Sequence, residues 1–312
     1  MYKTIMKILF CLYLPFYLLI VITNGNILKM QHKNNVAFIT LSVGNGLFSF
    51  LKIDNSAIIF DCGIGGNPMN WDDGVQGNSS FPTNYMKSIG IEKIDNIFIS
   101  HNHVDHYSNL KTIQKNFEIS NISVPYNYNK MNKQIKGYIK DSKANIISFR
   151  RDYSFSGINF SNLTYDWVVQ NGSKNKNENN NSMVLDFKFK NKTFLLTGDI
   201  ESEPTKDMVT KHKEYDYFQV PHHGSDNSGT TNILKKVKPN KCIISGTRNT
   251  KLWRKFSGGH EFPTDDIFEN VHNRCQSTYI TGSTLKSEVG NSYEYVPASG
   301  NVFKNAKTIQ NK

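Results

Sequence analysis

Short apolar runs alternate with polar, glycine-rich segments along most of the chain, which is typical of strands joined by turns. The runs at 36–41 and 48–53 flank Gly44-Asn45-Gly46, a sequence that favours a β-hairpin. Further strands are predicted where apolar and β-branched residues cluster, at 57–60, 94–99, 122–124, 146–149, 182–188, 193–196, 217–220, 241–245 and 277–280. Helical spacing of apolar residues predicts helices at 84–89, 108–117, 130–140, 203–212, 231–237 and 265–271.

Paired strands interspersed with helices predict an α/β fold, a layered αββα sandwich that forms one domain over residues 26–312. Two segments interrupt the pattern. Residues 64–82 are rich in Gly, Asn, Asp and Pro, and residues 171–181 are a low-complexity run of Asn, Lys and other polar residues. We predict that both are loops.

The N-terminus has a different pattern from the rest of the chain. Lys3 and Lys7 precede an apolar segment, residues 8–22, which ends in Thr23-Asn24-Gly25. A short basic region, about fifteen apolar residues and a small-residue end are typical of a secretory signal peptide. We therefore predict that residues 1–25 are a signal peptide, with an uncleaved N-terminal membrane anchor as the alternative. In both cases the rest of the chain is secreted or otherwise extracytoplasmic.

Charge and cysteine content add two constraints. The 312 residues carry a formal net charge of +11, which favours an anionic substrate or partner such as nucleic acid, a phosphorylated polymer or a membrane surface. Solvated surface lysines are the alternative, and no obligate protein partner is inferred. Outside the leader the chain has three cysteines, Cys62, Cys242 and Cys275. An odd number gives no disulfide framework, although one bridge can form.

Residues 101–106, His-Asn-His-Val-Asp-His, hold the densest chemistry in the sequence, directly after a predicted strand. Imidazole nitrogens and carboxylate oxygens are ligands that borderline divalent metals prefer. Four such groups in one short loop suit two adjacent ions, with His101 and His103 on one ion and Asp105 and His106 on the other. The alternative, a cluster of solvated polar residues, is disfavoured because matching groups occur later in the chain.

Those later groups also follow predicted strands. Asp199 would bridge the two ions and offset their repulsion. In the adjacent pair His222-His223, one ring would complete the first ion's ligands while the other donates a hydrogen bond or acts as a general acid. We favour His223 as the metal ligand and His222 as the hydrogen-bond donor or general acid. His260 would complete the second ion. We expect Asp61 to hold the histidine loop by hydrogen bonds rather than to bind metal.

Three segments together resemble the metallo-β-lactamase superfamily and, within it, the hydrolase domain of ComEC-type DNA-uptake proteins. They are residues 101–106, Leu196-Thr-Gly-Asp199 and Pro221-His-His-Gly-Ser225. Residues 84–100, Ser245-Gly246 and Gly259-His260 are similar to the family's flanking segments, and the resemblance spans about residues 36 to 296. It implies an αββα fold with a two-metal site at the strand ends.

The chain departs from the ComEC pattern at several points. ComEC-type proteins usually carry Asp where this chain has Ser42 and Leu47. They also fuse the domain to a multi-span channel, and no such segment is recognised in these 312 residues. We therefore expect a hydrolase rather than the uptake channel itself. Many superfamily members supply a histidine ligand before the bridging aspartate. Here Asn181-Ser182 stands at that place, as in ComEC-type relatives.

These patterns predict an exported hydrolase in which metal-activated water is the nucleophile, with Asp105 and His222 as catalytic residues. Zinc is the first choice for an imidazole-rich site, and manganese is the rival because no thiolate is among the ligands. A phosphodiester, as in DNA or RNA, is the favoured substrate. A hydrolase of carboxylic esters, lactones or phosphocholine-type esters and a non-catalytic binding protein on the same fold are the alternatives.

Overall fold

The computed structural model describes residues 36–41, 43, 45–65, 80–247, 262–282, 292–295 and 302–304. The strands are β1 Ala37–Leu41, β2 Phe48–Ile53, β3 Ser56–Cys62, β4 Lys93–Phe98, β5 Glu118–Ile119, β6 Asn121–Ser123, β7 Asn145–Ile147, β8 Asp152–Phe155, β9 Ile158–Asn162, β10 Leu185–Phe189, β11 Lys192–Leu196, β12 Glu214–Gln219, β13 Lys238–Thr247, β14 Ser277–Gly282, β15 Ser292–Tyr295 and β16 Val302–Lys304. The helices are α1 Phe81–Ser88, α2 Val104–Tyr107, α3 Leu110–Asn116, α4 Lys133–Asp141, α5 Tyr165–Asn171, α6 Ser202–Thr205, α7 Thr230–Leu234 and α8 Asp265–Arg274.

The first sheet, sheet A, is built on the N-terminal hairpin. Its strands are ordered β16-β15-β1-β2-β3-β4-β6-β7, and β5 pairs with β4. β1, β2 and β3 are antiparallel, whereas β3, β4, β6 and β7 run parallel to one another. All seven residues of β3 are buried, because the strand has neighbours on both edges and layers on both faces. The parallel strands therefore carry the loops after Cys62 and Phe98 to the same end of the sheet.

The second sheet, sheet B, is ordered β14-β13-β12-β11-β10-β9-β8. β8 to β11 form antiparallel hairpins, and β11 to β14 are parallel. The disulfide Cys242–Cys275 joins β13 to the residue after α8. The loops after Leu196 and Gln219 leave the sheet from the carboxyl ends of parallel strands, where ligand sites are usually placed, and β13 ends beside them at Thr247.

Apolar side chains pack in three layers. The layer between the sheets is strongly aromatic: Phe187 stacks on Phe194 with ring centroids 4.7 Å apart, and Phe194 stacks on Tyr217 at the same distance. A second cluster packs α1, α3 and α4 on the outer face of sheet A, and a third packs α7 and α8 on the outer face of sheet B. The predicted αββα sandwich is therefore confirmed.

Several predicted elements need correction. Predicted helix 203–212 is only a single turn, α6, which begins beside Pro204 and is followed by irregular backbone to residue 213. The predicted loop 171–181 contains the end of α5 and a 3₁₀ turn at Glu178–Asn181 whose asparagines are buried. Strands β8 and β9 and helix α5 were not predicted, because no strong periodicity marks that stretch.

Some sequence-based expectations fall on residues outside the described ranges. Among them are the leader at 1–25, Ser42 and the candidate ligand His260. The division into a leader and one domain stays a prediction. Within the described residues, no helix has both the length and the apolar character needed to cross a bilayer.

Candidate metal centre

The histidine loop is fixed from below by Asp61 at the end of β3. Its Oδ1 accepts a 2.7 Å hydrogen bond from the Ser100 backbone N–H, and its Oδ2 lies 2.9 Å from His106 Nδ1. Asp61 has a φ of 58°, a left-handed conformation that aspartate tolerates better than most residues. As predicted, Asp61 holds the loop by hydrogen bonds. It also fixes the ring of His106 so that Nε2 faces away from β3.

The backbone at Asp105 is held between two strand ends. The Leu47 N–H donates to the Asp105 carbonyl at 3.0 Å, and the Gly63 N–H donates to the Leu47 carbonyl at 2.9 Å. A Cβ at Gly63 would meet the Asp105 carbonyl oxygen at 1.6 Å, so only glycine fits there. Leu47, where ComEC-type proteins usually carry Asp, thus still anchors α2 through its backbone.

Two carboxylates and two imidazoles meet above this loop. Asp105, His106, Asp199 and His223 each offer one ligand atom, and these atoms lie within 4.8 Å of one another. His106 Nε2 is 3.1 Å from Asp199 Oδ2, and His223 Nε2 is 3.4 Å from Asp105 Oδ2. Asp199 comes from the end of β11 and His223 from the loop after β12. The fold therefore joins groups from both sheets at one point.

His223 is held in an unusual backbone conformation. His222 and His223 both have positive φ, 51° and 55°, and Gly224 follows at 81°. Left-handed non-glycine residues cost about 1–3 kcal/mol each and cluster at functional sites. The turn lets His223 Nδ1 donate to the Ser245 carbonyl at 2.6 Å, which leaves Nε2 as the free atom facing the carboxylates. A ring held through one nitrogen with the other exposed to carboxylates is typical of a metal ligand.

His101 and His103 lie beside this group rather than within it. The His101 ring centroid is 4.2 Å from that of His106 and 4.6 Å from that of His103. His101 is fully buried, whereas His103 is half-buried. Their positions suit a second ligand set next to the first.

The predicted pairing placed His223 with His101 and His103. In the structure its Nε2 lies 3.4 Å from Asp105 Oδ2 and 3.5 Å from Asp199 Oδ2, and the Ser245 carbonyl on β13 holds the other side of the ring. The assignment of each residue to one ion stays a prediction.

The pKa values at the centre follow from its excess of buried carboxylates. Burial alone would lower the pKa of His106 and of His223, but the neighbouring carboxylates together outweigh it. Asp199, Asp61 and Asp105 raise the pKa of His106, and Asp199 with Asp105 raises that of His223 to about 10. Burial would raise the pKa of Asp199, yet His106 and His223 hold it well below its usual range. Burial lowers the pKa of His101, which lies farther from the carboxylates. The carboxylates thus stabilise positive charge at this point.

The donor set fits divalent metal ions. Among the described residues, the buried Nε2 atoms of His101, His106 and His223 and the Oδ1 atom of Asp199 have no hydrogen-bond partner. Buried polar atoms without partners cost about 1–3 kcal/mol each, so a cluster of them calls for a ligand. Nitrogen and carboxylate oxygen without thiolate suit zinc and similar divalent ions.

A further carboxylate, Glu201, lies behind His222 and was not predicted. It accepts hydrogen bonds from the side-chain amides of Asn177 at 2.6 Å, Asn179 at 2.9 Å and Asn227 at 2.8 Å. Its Oε1 is 3.6 Å from His222 Nδ1. We call these residues, Glu201 with its three asparagines, the amide cage.

The amide cage determines how His222 is presented. The Asn179 amide N–H₂ must face Glu201, and it also lies 3.3 Å from His222 Nε2. Because an amide N–H donates, Nε2 accepts and the proton of the neutral ring is on Nδ1, toward Glu201. His222 Nε2 is 4.0 Å from Asp199 Oδ2, so the ring lies at the edge of the centre. Only the sequence proximity of Glu201 to Asp199 could have indicated this role.

An αββα sandwich with imidazoles and carboxylates at the strand ends defines a metal-dependent hydrolase. The chain belongs to the metallo-beta-lactamase superfamily, whose sequence profile matches residues 41–246. The fold and the histidine motif predicted from the sequence agree with this assignment.

Three relatives show which members of the superfamily this chain is similar to. The chain is 27% identical over 218 residues to the uncharacterized protein YcaI of Escherichia coli, which covers 69% of this chain and 25% of the relative. It is 25% identical over 246 residues to Recombination protein 2 of Haemophilus influenzae. This match covers 78% of this chain and 28% of the relative. ComE operon protein 3 of Bacillus subtilis is 21% identical over 178 residues, 54% of this chain and 22% of the relative. The predicted ComEC-like resemblance is confirmed, and the chain spans about a quarter of the length of these relatives.

Solved structures with a similar fold include the metallo-beta-lactamase fold protein YhfI from Bacillus subtilis. Its TM-score is 0.47 at 12% identity, covering 80% of this chain and 98% of that chain. A diphosphatase from the PhnP family has a TM-score of 0.45 at 13% identity. The match covers 77% of this chain and 94% of the diphosphatase chain.

Proposed function

We propose that this chain is an exported phosphodiesterase that uses two divalent ions, zinc first and manganese second, to cleave an anionic polymer such as DNA or RNA. The group Asp105, His106, Asp199 and His223, with His101 and His103 beside it, carries the proposal. The net charge of +11 supports a polyanionic substrate. The names of relatives, Recombination protein 2 and Competence protein ComA, support one related to nucleic acid.

The chain's own residues would divide the work as follows. Bound ions supply Lewis-acid stabilisation of the developing charge and an activated water. Asp61 and the Ser245 carbonyl orient His106 and His223, so that each Nε2 faces the centre. His222 would take at Nε2 the proton that the attacking water loses and pass it to the leaving oxygen, while Glu201 would stabilise the charged ring from the Nδ1 side.

Export is supported by two separate features. Residues 1–25 have the pattern of a signal peptide, and Cys242 is joined to Cys275. Disulfides persist mainly in oxidising compartments outside the cytosol. Retention of the leader as a membrane anchor is the alternative form of the same proposal.

The test is to purify the chain, measure bound metal and assay hydrolysis. Substrates are bis(p-nitrophenyl) phosphate, single- and double-stranded DNA, RNA, a lactone and a phosphocholine ester. We expect near-stoichiometric divalent metal and turnover of phosphodiesters that chelation abolishes and added metal restores. Turnover of only the lactone or phosphocholine ester would replace the phosphodiesterase with the alternative hydrolase. Absence of retained metal would overturn the centre itself.

A further inference from the structure

The helical layer over sheet A carries nearly unopposed positive charge. Its basic residues, the basic face, are Lys87, Lys111, Lys115, Lys130, Lys133, Lys136 and Lys140. On α1, α3, α4 and the 3₁₀ turn at Tyr128–Lys130, Asp141 is the single acidic residue. In the part of the chain that the structure describes, none of the seven lysines lies within ion-pair distance of a carboxylate. Their charge is therefore available to a partner.

The helices over sheet B show the opposite balance. α6, α7 and α8 carry four acidic residues, Glu203, Asp265, Asp266 and Glu269, against the single base Arg274. The contrast extends to the loops, since residues 80–147 contain nine basic and five acidic residues. Residues 197–238 with 262–276 contain seven basic and ten acidic residues. A lysine-rich composition alone would have made both layers basic.

The basic face begins next to the candidate centre. α2, which holds Asp105 and His106, ends at Tyr107, and α3 begins at Leu110, so Lys111 is five residues after a candidate ligand. Lys115 follows one helical turn farther along α3. Gln114 Nε2 donates to the Tyr138 carbonyl of α4 at 2.9 Å, and Lys111 Nζ lies 5.0 Å from the Tyr138 ring centroid. The lysines of α3 thus continue onto α4 without a break.

On α4 the lysines share one side. Lys133, Lys136 and Lys140 have the spacing i, i+3 and i+7, whereas Ile135 and Ile139 are buried against sheet A. A row of cations over two helices suits a polymer with repeated phosphates rather than a single small anion. A membrane-binding face would also expose large apolar side chains. Among the described residues, the exposed ones are Val104, Ile146, Val169 and Val209, and none is on α1, α3 or α4.

We propose that the basic face is a docking surface for nucleic acid, which leads the strand from α4 along α3 to the metal centre. This inference deepens the proposed phosphodiesterase by naming where its polymeric substrate binds. The lysines position the backbone and read no sequence, so affinity is salt-dependent and indifferent to base composition.

The test compares two charge-reversal variants of equal net charge. K115E/K133E/K140E changes three exposed lysines of the basic face, and K188E/K206E/K213E changes three exposed lysines over sheet B. Binding of a fluorescein-labelled 30-base DNA strand is measured by anisotropy with EDTA present, as a function of salt. We expect the basic-face variant to bind on the order of tenfold more weakly, with a salt slope smaller by about 2. The sheet B variant should bind within about twofold of the unmodified chain.

The readouts separate this inference from the proposed function. Circular dichroism checks folding, and bis(p-nitrophenyl) phosphate turnover should be equal in all three proteins because the small substrate does not need the face. If both variants weaken binding equally, net charge explains it and the docking surface is wrong. If the basic-face variant loses binding to phosphatidylserine vesicles but keeps DNA binding, the partner is a membrane. If DNA binding depends on the face but the small phosphodiester is not hydrolysed, the surface stands and the phosphodiesterase falls.

Discussion

Two polar segments near the candidate centre differ in what their buried side chains contact. The histidine loop, residues 101–106, leaves the buried Nε2 atoms of His101 and His106 without hydrogen-bond partners. In the asparagine segment, residues 175–181, Asn177 and Asn179 donate to the same carboxylate, Glu201. In the described part of the chain, the unpartnered atoms of the first segment include imidazole nitrogens beside the metal-ligand group, whereas those of the second are amide atoms, Asn179 Oδ1, Asn180 Oδ1 and the side-chain nitrogen and oxygen of Asn181. Unpartnered polar atoms alone therefore do not identify the metal ligands, and imidazoles beside carboxylates distinguish the ligand segment from the segment that holds Glu201.

The largest effect is expected from Asp199→Asn, which removes the carboxylate that His106 and His223 both face. We expect loss of bound metal and a fall in phosphodiester turnover of roughly 10³-fold, because the charge that holds the cations is gone. Metal content by elemental analysis and steady-state kinetics measure it. Asp166→Asn, at an exposed carboxylate paired with Arg151, is the control and should change neither. Full metal occupancy in Asp199→Asn would contradict the assignment.

Asp61→Asn tests the support of the histidine loop. Asparagine tolerates the left-handed backbone at this position and can still accept from the Ser100 N–H. Its amide N–H₂ would face the His106 Nδ1–H, so two donors would meet where a donor and an acceptor met. We expect metal affinity to fall about 10- to 100-fold, measured by competition with a chelating dye. Unchanged affinity would mean that His106 needs no orienting partner.

Glu201→Gln tests the other segment and should give a different result. Glutamine offers one acceptor oxygen to three amide donors, so we expect the free energy of unfolding to fall by about 1–3 kcal/mol in urea titrations. Metal content should be unchanged, because no atom of Glu201 belongs to the four-residue group. We expect kcat to fall about tenfold with little change in KM, since His222 loses its orienting carboxylate. A loss of metal equal to that in Asp61→Asn would erase the distinction between the two segments.

Asn179→Ala should have the smallest effect. Glu201 keeps the amides of Asn177 and Asn227 and loses only that of Asn179, which is also the donor to His222 Nε2. We expect about 1 kcal/mol of stability to be lost and kcat to change by a few-fold at most. Asn175→Ala is a matched control because its side-chain oxygen accepts only from the Asn177 N–H, away from the ring. Equal kinetic effects in both variants would show that the segment acts on stability alone.

Much of the fold could be predicted because the spacing of apolar residues indicates most of its strands and helices. β2 was predicted with its observed bounds, Phe48–Ile53, and the predicted run at 94–99 became β4, Lys93–Phe98. The stretch from β8 to α5 was missed, since its polar and apolar residues follow no clear period. The single turn of α6 was overestimated because apolar Met208 and Val209 extended the helical spacing beyond Pro204.

The candidate centre divides in the same way. Asp61, Asp105, His106, Asp199 and His223 were predicted because each lies near a strand end and bears a metal-binding group. The roles of Asn177 and Asn179 in the amide cage could not be predicted, because asparagines in a low-complexity run usually indicate a solvated loop. Their contact with Glu201 spans 24 and 22 positions in the sequence, and only the folded chain brings Glu201 to them. Whether His260 joins the centre stays a prediction.

The bond between Cys242 and Cys275 joins residues 33 positions apart and closes the chain between them into a ring. Ser245, which orients His223, and the predicted ligand His260 are both members of that ring. Closing a loop of this size lowers the entropy of the unfolded chain by the equivalent of about 4 kcal/mol. The oxidation state of two sulfur atoms is thereby thermodynamically linked to assembly of the imidazole side of the centre. We expect the oxidised chain to gather its metal ligands at a lower entropic cost than the reduced chain.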